Sequence, residues 1–270
     1  MKTIKSLIKF ALLIPAILLT ACNKEEIEYT DTPIVEAYLV PGNYLAVKIT
    51  RQIPFASEVE VSSDDINNLG ILVEWNGQMH QLAPLGDGNY IDSSIVVAEG
   101  VQYSISFTFN AKNVKAYTYV PSQPTNFSQS ATTIEIEQMD TTSGPPSGIM
   151  PDPIQLTWDN PDGSYYLIVV ENMESTLVPI RDFGDKTPPG NRFKKSPSNS
   201  SSEMINSMEF QYYGMHRIIL YHVLPDYAAL YNQNSANSLT LTNPSTSITN
   251  GYGIFTGLNT DTLFVNVVEP

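Results

Sequence analysis

The sequence predicts an all-β fold that consists of two β-sandwich domains. Short segments rich in β-branched and aromatic residues recur along the chain, and Gly, Pro, Asn or Asp follows most of them. This is the pattern of short strands joined by turns. Residues 138–153 separate these segments into two groups and contain four prolines but few apolar residues. Because such a stretch buries too little surface to offset its ordering entropy, we predict that it is a linker.

Residues 33–137 are predicted to form the N-terminal β-sandwich. Residues 34–40 and 44–50 are apolar and β-branched on either side of a Pro-Gly-Asn turn, so they predict a hairpin. Further strands are predicted at residues 70–75, 78–82, 88–91, 102–109 and 115–120. The turn at Asn76 and Gly77 supplies the positive φ angles that tight hairpins need.

Residues 154–270 are predicted to form the C-terminal β-sandwich. A strand that ends at Trp158, a turn at residues 160–163 and a Tyr-rich strand at residues 165–170 open this half. This order resembles the start of a fibronectin type III domain, so we expect both sandwiches to be of the immunoglobulin or fibronectin III type. Strands are also predicted at residues 217–223 and 262–268, with one short helix, capped by Asp226, at residues 226–233.

The first 21 residues have the features of a lipoprotein signal peptide. Three lysines precede an apolar run of ten residues, 10–19. A membrane-spanning helix needs roughly 20 apolar residues, so this run is too short to be a permanent anchor and is predicted to be cleaved. The run leads into Leu-Thr-Ala-Cys, which resembles a bacterial lipobox. Cys22 is the only cysteine of the chain, and we predict that it carries covalent lipid and holds the protein on a membrane.

Residues 22–32 are predicted to form an acidic tether. Lys24, Glu25 and Glu26 resemble the signal that exports lipoproteins to the cell surface in Bacteroidota. The other interpretation is an ordinary charged linker without a sorting role. The export signal would place the domains outside the outer membrane, anchored by the lipid.

The charge of the chain argues against nucleic-acid binding. The full sequence has 14 Lys and Arg and 28 Asp and Glu. Cleavage after residue 21 removes three lysines and no acidic residue, which leaves 11 cations and a formal net charge of −17. DNA carries one negative charge every ~1.7 Å and would be repelled.

No sequence motif indicates an enzyme, a metal site or a cofactor. Nucleophile elbows, zinc-protease motifs and phosphate-binding loops are absent from the sequence. His216 and His222 lie six residues apart on one predicted strand, about 20 Å from each other, so they cannot share a metal. Residues 159–163 lack the ligand spacing of a calcium loop and are predicted to form a turn. We therefore predict no catalytic residue, although carboxylates from distant strands could still meet in a hydrolase site.

One segment of this acidic chain is basic. Five of the 11 cations of the mature chain fall within fifteen residues, next to a Pro-Pro-Gly sequence and a Ser-rich stretch: Arg181, Lys186, Arg192, Lys194 and Lys195. We refer to residues 181–195 as the basic segment. Its functional interpretation is a loop that docks to an acidic partner by charge complementarity. The alternative is a solvated, mobile loop.

Several segments resemble a family of uncharacterised surface lipoproteins of Bacteroidota. The resemblance is in residues 35–50, in the Gly88-Asn89-Tyr90 turn, in residues 100–103 and in the glycine-rich residues 250–257 that surround Phe255. We expect residues 250–257 to form a structural turn. Members of this family are encoded beside TonB-dependent outer-membrane transporters, which implies an accessory role with such a barrel and implies no catalytic residues.

Taken together, the sequence predicts a surface-exposed outer-membrane lipoprotein that acts as a non-enzymatic docking subunit of a TonB-dependent transporter or a related assembly. A free-standing glycan- or peptide-binding lipoprotein is the alternative, and a hydrolase is the third. An exposed apolar patch beside the basic segment would favour docking. An exposed row of aromatic residues would favour glycan binding, and paired buried carboxylates in a cleft would favour an enzyme.

Overall fold

A computed structural model describes residues 31–52, 64–138, 151–184, 187–232 and 246–270, and these are mainly β-strands, as predicted. The first half contains eight strands and one four-residue helix. They are β1 (Pro33–Leu39), β2 (Tyr44–Arg51), α1 (Asp64–Asn67), β3 (Leu72–Trp75), β4 (Gln78–Gln81), β5 (Ala83–Gly86), β6 (Asn89–Val96), β7 (Gln102–Phe109) and β8 (Lys112–Tyr119).

The strands of the first half form two sheets that face each other across an apolar core. One sheet has the order β1-β2-β6-β5 and the other β4-β3-β7-β8. These orders correspond to the ABED and CFG sheets of an immunoglobulin-like domain, with β4 as an added strand. Alternate residues of β7, from Tyr103 to Phe109, are buried between the sheets, as the period-2 pattern of the sequence requires.

The second half repeats this arrangement. Its elements are β9 (Ser128–Gln129), β10 (Thr133–Glu135), β11 (Ile154–Thr157), β12 (Tyr165–Asn172), β13 (Arg192–Lys194), β14 (Ser202–Ile205), a 3₁₀ turn (Ser207–Glu209), β15 (Gly214–Val223), α2 (Pro225–Asn232) and β16 (Tyr252–Val268). One sheet has the order β14-β11-β9, and the other contains β13-β12-β15-β16. Trp158 lies between the two sheets, with its ring against Phe127 and Tyr166.

Strand β16 belongs to both halves. Residues 252–257 pair in parallel with β1, from Ile34 opposite Tyr252 to Leu39 opposite Gly257. Residues 258–267 pair antiparallel with β15. One sheet therefore continues from the second sandwich into the first. Residues 250–257 were expected to form a turn, and the expectation was wrong for residues 252–257, which are strand.

Two glycines let β16 approach the first sandwich closely. Gly253 has a φ of +98°, and a Cβ atom at this position would lie 2.0 Å from the carbonyl oxygen of Val35. A Cβ atom on Gly257 would lie 2.1 Å from the carbonyl oxygen of Tyr119. Between them, the side chain of Phe255 is fully buried in the first core. Only glycine fits at such contacts, because every other residue carries a Cβ atom.

Buried polar groups at the junction of the two halves are hydrogen-bonded. The amide nitrogen of Asn259 donates to the carbonyl oxygen of Pro121 and to the carboxylate of Glu99, both at 3.0 Å. The Nδ1 atom of His222 donates to the carbonyl oxygen of Ser122 at 2.8 Å. A buried polar atom without a hydrogen bond lowers the free energy of unfolding. These bonds avoid that loss at the junction.

Several side chains pack beyond the predicted limits of residues 33–137 and 154–270. Ile248 and Phe255 lie in the core of the first sandwich, whereas Phe127, Ile134 and Ile136 lie in the core of the second. The physical reason is that the first part of β16 pairs with β1 of the first sandwich, whereas β10 pairs with the last part of β16 in the second sandwich. Of the predicted linker, residues 139–150 lie outside the described residues.

The helices differ from the prediction in number and start. Helix α2 begins at Pro225, one residue before the predicted cap, because proline suits the first helical position. Within the helix, the carboxylate of Asp226 accepts hydrogen bonds from the Tyr227 amide and the Thr256 hydroxyl. Helix α1 was not predicted. Its residue Ile66 accepts a hydrogen bond from the Tyr90 hydroxyl through its carbonyl oxygen at 2.5 Å.

The substitution Gly253→Ala is expected to lower the free energy of unfolding by more than about 2 kcal/mol, because it adds a clash with β1 to an unfavourable φ. Urea denaturation measures this change. Gly163→Ala is the matched control, since Gly163 has a φ of +70° but no atom within 4 Å of the position that a Cβ atom would occupy. Equal losses in the two variants would contradict a close contact between β16 and β1.

Candidate functional site

The basic segment forms backbone hydrogen bonds with strand β12 of the second sandwich. Residues 192–194 form β13, which pairs with β12, so the expectation of a loop throughout this segment was wrong. The Lys195 amide donates to the Ile168 carbonyl oxygen at 2.9 Å, and the backbones of Ser198 and Tyr166 exchange hydrogen bonds of 2.7 and 2.9 Å. These bonds form because the sheet edge at β12 offers unpaired backbone groups. Lys186 lies outside the described residues.

Three cations of the basic segment have partners within the chain. The ammonium group of Lys195 donates to both carboxylate oxygens of Glu209, at 2.5 and 2.6 Å. The guanidinium group of Arg181 donates to the carbonyl oxygen of Met208 at 2.6 Å. The ammonium group of Lys194 lies 4.8 Å from the ring centre of Tyr231 in α2. The positive charge of the segment is therefore partly compensated.

A row of charged side chains crosses the outer face of the sheet. The register places Arg192 of β13 opposite Glu171 of β12, Glu171 opposite Arg217 of β15, and Arg217 opposite Phe264 of β16. Directly opposite residues point to the same face of a sheet. Arg217 donates from Nε and Nη2 to one carboxylate oxygen of Glu171, at 2.9 and 2.6 Å. Arg192 is exposed on the other side of that carboxylate.

Three large apolar side chains are exposed beside this row. The exposed fractions are 52% for Phe264, 48% for Met173 and 39% for Met215. Met215 precedes Arg217 by two residues on β15, so it points to the same face. The Met173 amide donates to the Met215 carbonyl oxygen at 2.8 Å, which places Met173 next to Met215. We refer to Phe264, Met173 and Met215 as the Met-Phe patch.

A cavity of about 260 Å³ lies behind the basic segment, and its polar groups already have partners. It is lined in part by Arg192, Glu209, Tyr212 and His216. The Tyr212 hydroxyl donates to the Pro189 carbonyl oxygen at 2.5 Å. Glu209 is occupied by Lys195, as described above. The lining therefore offers Arg192 as its exposed charged group and presents no pairing of a nucleophile with a base.

The two histidines of β15 have structural hydrogen bonds. The Nδ1 atom of His216 donates to the Gly214 carbonyl oxygen at 3.0 Å, and its Nε2 atom accepts from the Asn172 amide at 3.2 Å. Burial lowers the pKa of His216, and the Gly214 hydrogen bond and the nearby Glu174 oppose this effect. His222 is stacked on Tyr166. Within the described ranges, no group of three or more His, Cys, Asp or Glu residues is arranged to hold a metal ion.

The predicted membrane anchor falls outside the described residues. This applies to the signal peptide at residues 1–21, to Cys22 and to the export signal of Lys24, Glu25 and Glu26. In the part of the chain that the structure describes, no helix is long and apolar enough to cross a membrane.

Comparisons with known proteins provide no family. No family model matches the chain, and no match was found among curated proteins. Among solved structures, domains A168–A170 of titin match with a TM-score of 0.21 and 7% identity, over 88% of this chain and 68% of that chain. The FN1–FN3 domains of chicken CNTN1 match with a TM-score of 0.26 and 14% identity, over 88% and 65% of the respective chains. Similarity at this level supports no conclusion about function.

The Met-Phe patch was not identified from the sequence. Residues 262–268 were predicted to be a strand, but their apolar residues fall on both faces, so the pattern does not indicate which side is buried. The one local signal in the sequence was Met215, two residues before Arg217. Assigning them to one exposed surface required the register of β12, β15 and β16.

Acidification is expected to destabilise the protein through His216. In the unfolded chain, the His216 side chain takes up a proton near pH 6.5. In the folded protein its pKa is lower, so buried His216 stays neutral to a lower pH. Its stabilising contribution is thus complete above about pH 6.5 and is lost as the pH falls, with a limiting slope of about 1.4 kcal/mol per pH unit. Urea denaturation between pH 7 and pH 5 measures the slope.

The variant His216→Asn is expected to have a shallower dependence of the free energy of unfolding on pH. The control is His222→Asn on the same strand, in which the contribution of His216 is retained. If His216→Asn and the unsubstituted protein have the same slope, burial of a neutral His216 is not a source of acid sensitivity.

Proposed function

We propose that this protein is a lipid-anchored, non-enzymatic docking subunit of an outer-membrane assembly, exposed at the cell surface. The observation that carries the proposal is the Met-Phe patch next to Arg192 and Arg217. Exposed apolar surface beside the basic segment is the feature that separates docking from the other candidate functions. Phe, Met and Arg are also residue types enriched in protein interfaces.

The chemistry of the surface favours one kind of partner. Arg192 and Lys194 are both exposed on the outer face of β13. A partner with acidic groups around an apolar centre would bury Phe264, Met173 and Met215 and face these two cations. The rest of the mature chain carries a large negative charge, so an acidic partner is directed towards this one region.

A TonB-dependent barrel is the partner that we propose. The support for it is the resemblance of the sequence to surface lipoproteins that are encoded beside such transporters. A lipid on Cys22 would confine both proteins to the same membrane and raise their effective concentration, so a modest contact surface would suffice for association. Hydrolysis finds no support in the cavity behind the basic segment, where the carboxylate of Glu209 already binds Lys195.

The docking surface is tested by purifying the tagged, full-length lipoprotein from its native membrane in mild detergent. Recovery of an outer-membrane barrel in stoichiometric amount is expected. The double variant Phe264→Ser with Met215→Gln is expected to lose at least 90% of the recovered barrel, since apolar anchors at the centre of an interface contribute ~2 kcal/mol or more.

Two controls make this experiment decisive. Tyr44→Ser removes an equally exposed aromatic residue on β2, in the first sandwich, and is expected to leave the recovery unchanged. Thermal unfolding of the purified variants establishes that they remain folded. Recovery of the lipoprotein alone, even after cross-linking, or full recovery of the barrel with the double variant, would refute docking through the Met-Phe patch.

The membrane anchor is tested with Cys22→Ser. This variant is expected to lose its incorporated lipid and to move from the membrane pellet to the soluble fraction, because attachment depends on the buried acyl chains. Labelling with an alkyne analogue of palmitate and ultracentrifugation provide the two measurements. Continued sedimentation of the variant with membranes after a high-salt wash would show that another part of the chain anchors it.

A further inference from the structure

The outer face of the β4-β3-β7-β8 sheet displays two tyrosines on one strand. Tyr117 and Tyr119 are 75% and 52% exposed. They occupy alternate positions of β8, so their side chains point to the same face and leave the strand ~7 Å apart. Strand β8 is the last in the order of this sheet, and the two rings are accessible from its outer face.

A depression of about 400 Å³ lies on the same sheet, where β3 ends and β7 begins. Its side-chain lining includes Glu74, Gln102 and Ser104. The register places Tyr117 opposite Ser104 and Tyr119 opposite Gln102, and Ser104 in turn opposite Glu74. The two rings and the three polar side chains therefore share one face of the sheet.

The rim of the depression includes two glycines in turns. Gly77 and Gly100 contribute to the lining, and no atom lies within 4 Å of the position that a Cβ atom would occupy on either glycine. A ligand can therefore approach the backbone of the two turns closely. The carboxylate of Glu74, the carboxamide of Gln102 and the hydroxyl of Ser104 provide closely spaced donors and acceptors.

This combination suits one chemical class of ligand. A sugar ring presents apolar C–H faces, which pack on aromatic rings, and an edge of hydroxyl groups, which pair with polar side chains. Glu74 can accept hydrogen bonds from two hydroxyls, whereas Gln102 can both donate and accept. Glu74 and the strongly negative charge of the chain disfavour acidic sugars.

We propose that this face is a binding site for a neutral oligosaccharide. Tyr117 and Tyr119 stack on successive sugar rings, and the sugar hydroxyls form hydrogen bonds with Glu74, Gln102 and Ser104. The site is on the first sandwich and shares no residue with the Met-Phe patch. It therefore does not depend on the docking function, and either proposal can fail without the other.

Isothermal titration calorimetry of the full-length lipoprotein in mild detergent tests the site. The probes are hexasaccharides of β-linked glucose, xylose, mannose and galactose, with hexagalacturonic acid as the acidic comparison. Saturable binding of at least one neutral probe is expected. The variants Tyr117→Ala and Tyr119→Ala are each expected to weaken it about tenfold.

Matched variants separate stacking from a general effect on folding. Tyr117→Phe keeps the ring and is expected to bind within about threefold of the unsubstituted protein, which corresponds to less than ~1 kcal/mol. Tyr44→Ala removes an exposed tyrosine from the other sheet of this sandwich and is expected to leave binding unchanged. Glu74→Gln is expected to weaken binding without a change in folding.

Three outcomes would overturn the proposal. The first is no saturable heat with any neutral probe at millimolar concentration. The second is binding that Tyr117→Ala and Tyr119→Ala leave intact, which would place the sugar elsewhere. The third is a preference for hexagalacturonic acid over every neutral probe, which would contradict the role given to Glu74.

Discussion

The parallel pairing of β1 with the first part of β16 is the constraint on which the rest of the structure depends. It joins the two sandwiches through a sheet rather than through a flexible connection. Gly253 and Gly257 make the approach sterically feasible, and the buried ring of Phe255 fills the first core from the far end of the chain. The relative orientation of the two sandwiches is consequently set by one continuous sheet.

Two surfaces follow from this arrangement, one on each half. The second sandwich presents apolar side chains among compensated charges, whereas the first presents tyrosine rings above polar groups. The compensation matters physically, because Glu171 and Glu209 hold Arg217 and Lys195 in place. Side chains that are already ordered lose less conformational entropy when a partner binds, so a small surface can still support association.

The sequence predicted the strands that carry alternation or a continuous apolar run and missed several short strands that carry neither. Residues 102–109 were placed at the observed bounds of β7 because every second residue is apolar. Strand β13 was missed because it has three residues beside prolines and serines, and its place in the sheet depends on hydrogen bonds to distant β12. Strand β16 was only partly recognised. Its glycines resemble those of a turn, and their actual role, close contact between two sandwiches, has no local signature.

Both surfaces depend on residues that are far apart in the sequence, which limits what sequence patterns indicate. The register of three strands places Glu74 and Tyr117 on one face, and it does the same for Glu171 and Phe264. Tyr117 is exposed because it lies on the outer face of its sheet, whereas the similar Tyr103 of the neighbouring strand lies on the inner face and is buried. Tyr is common in strands on either face, so composition alone could not separate these two roles.

The shared strand also determines the order in which the chain can fold. Strand β1 pairs with β2 nearby in the sequence, but its other neighbour is more than 200 residues away. Contacts of such long range close slowly, because the loop entropy is lost before the contact is gained. Until β16 arrives, β1 has an open edge and the first core lacks Phe255. We therefore expect folding to be completed from the carboxyl end, and a chain in which β16 is not yet in place exposes a strand edge that favours aggregation.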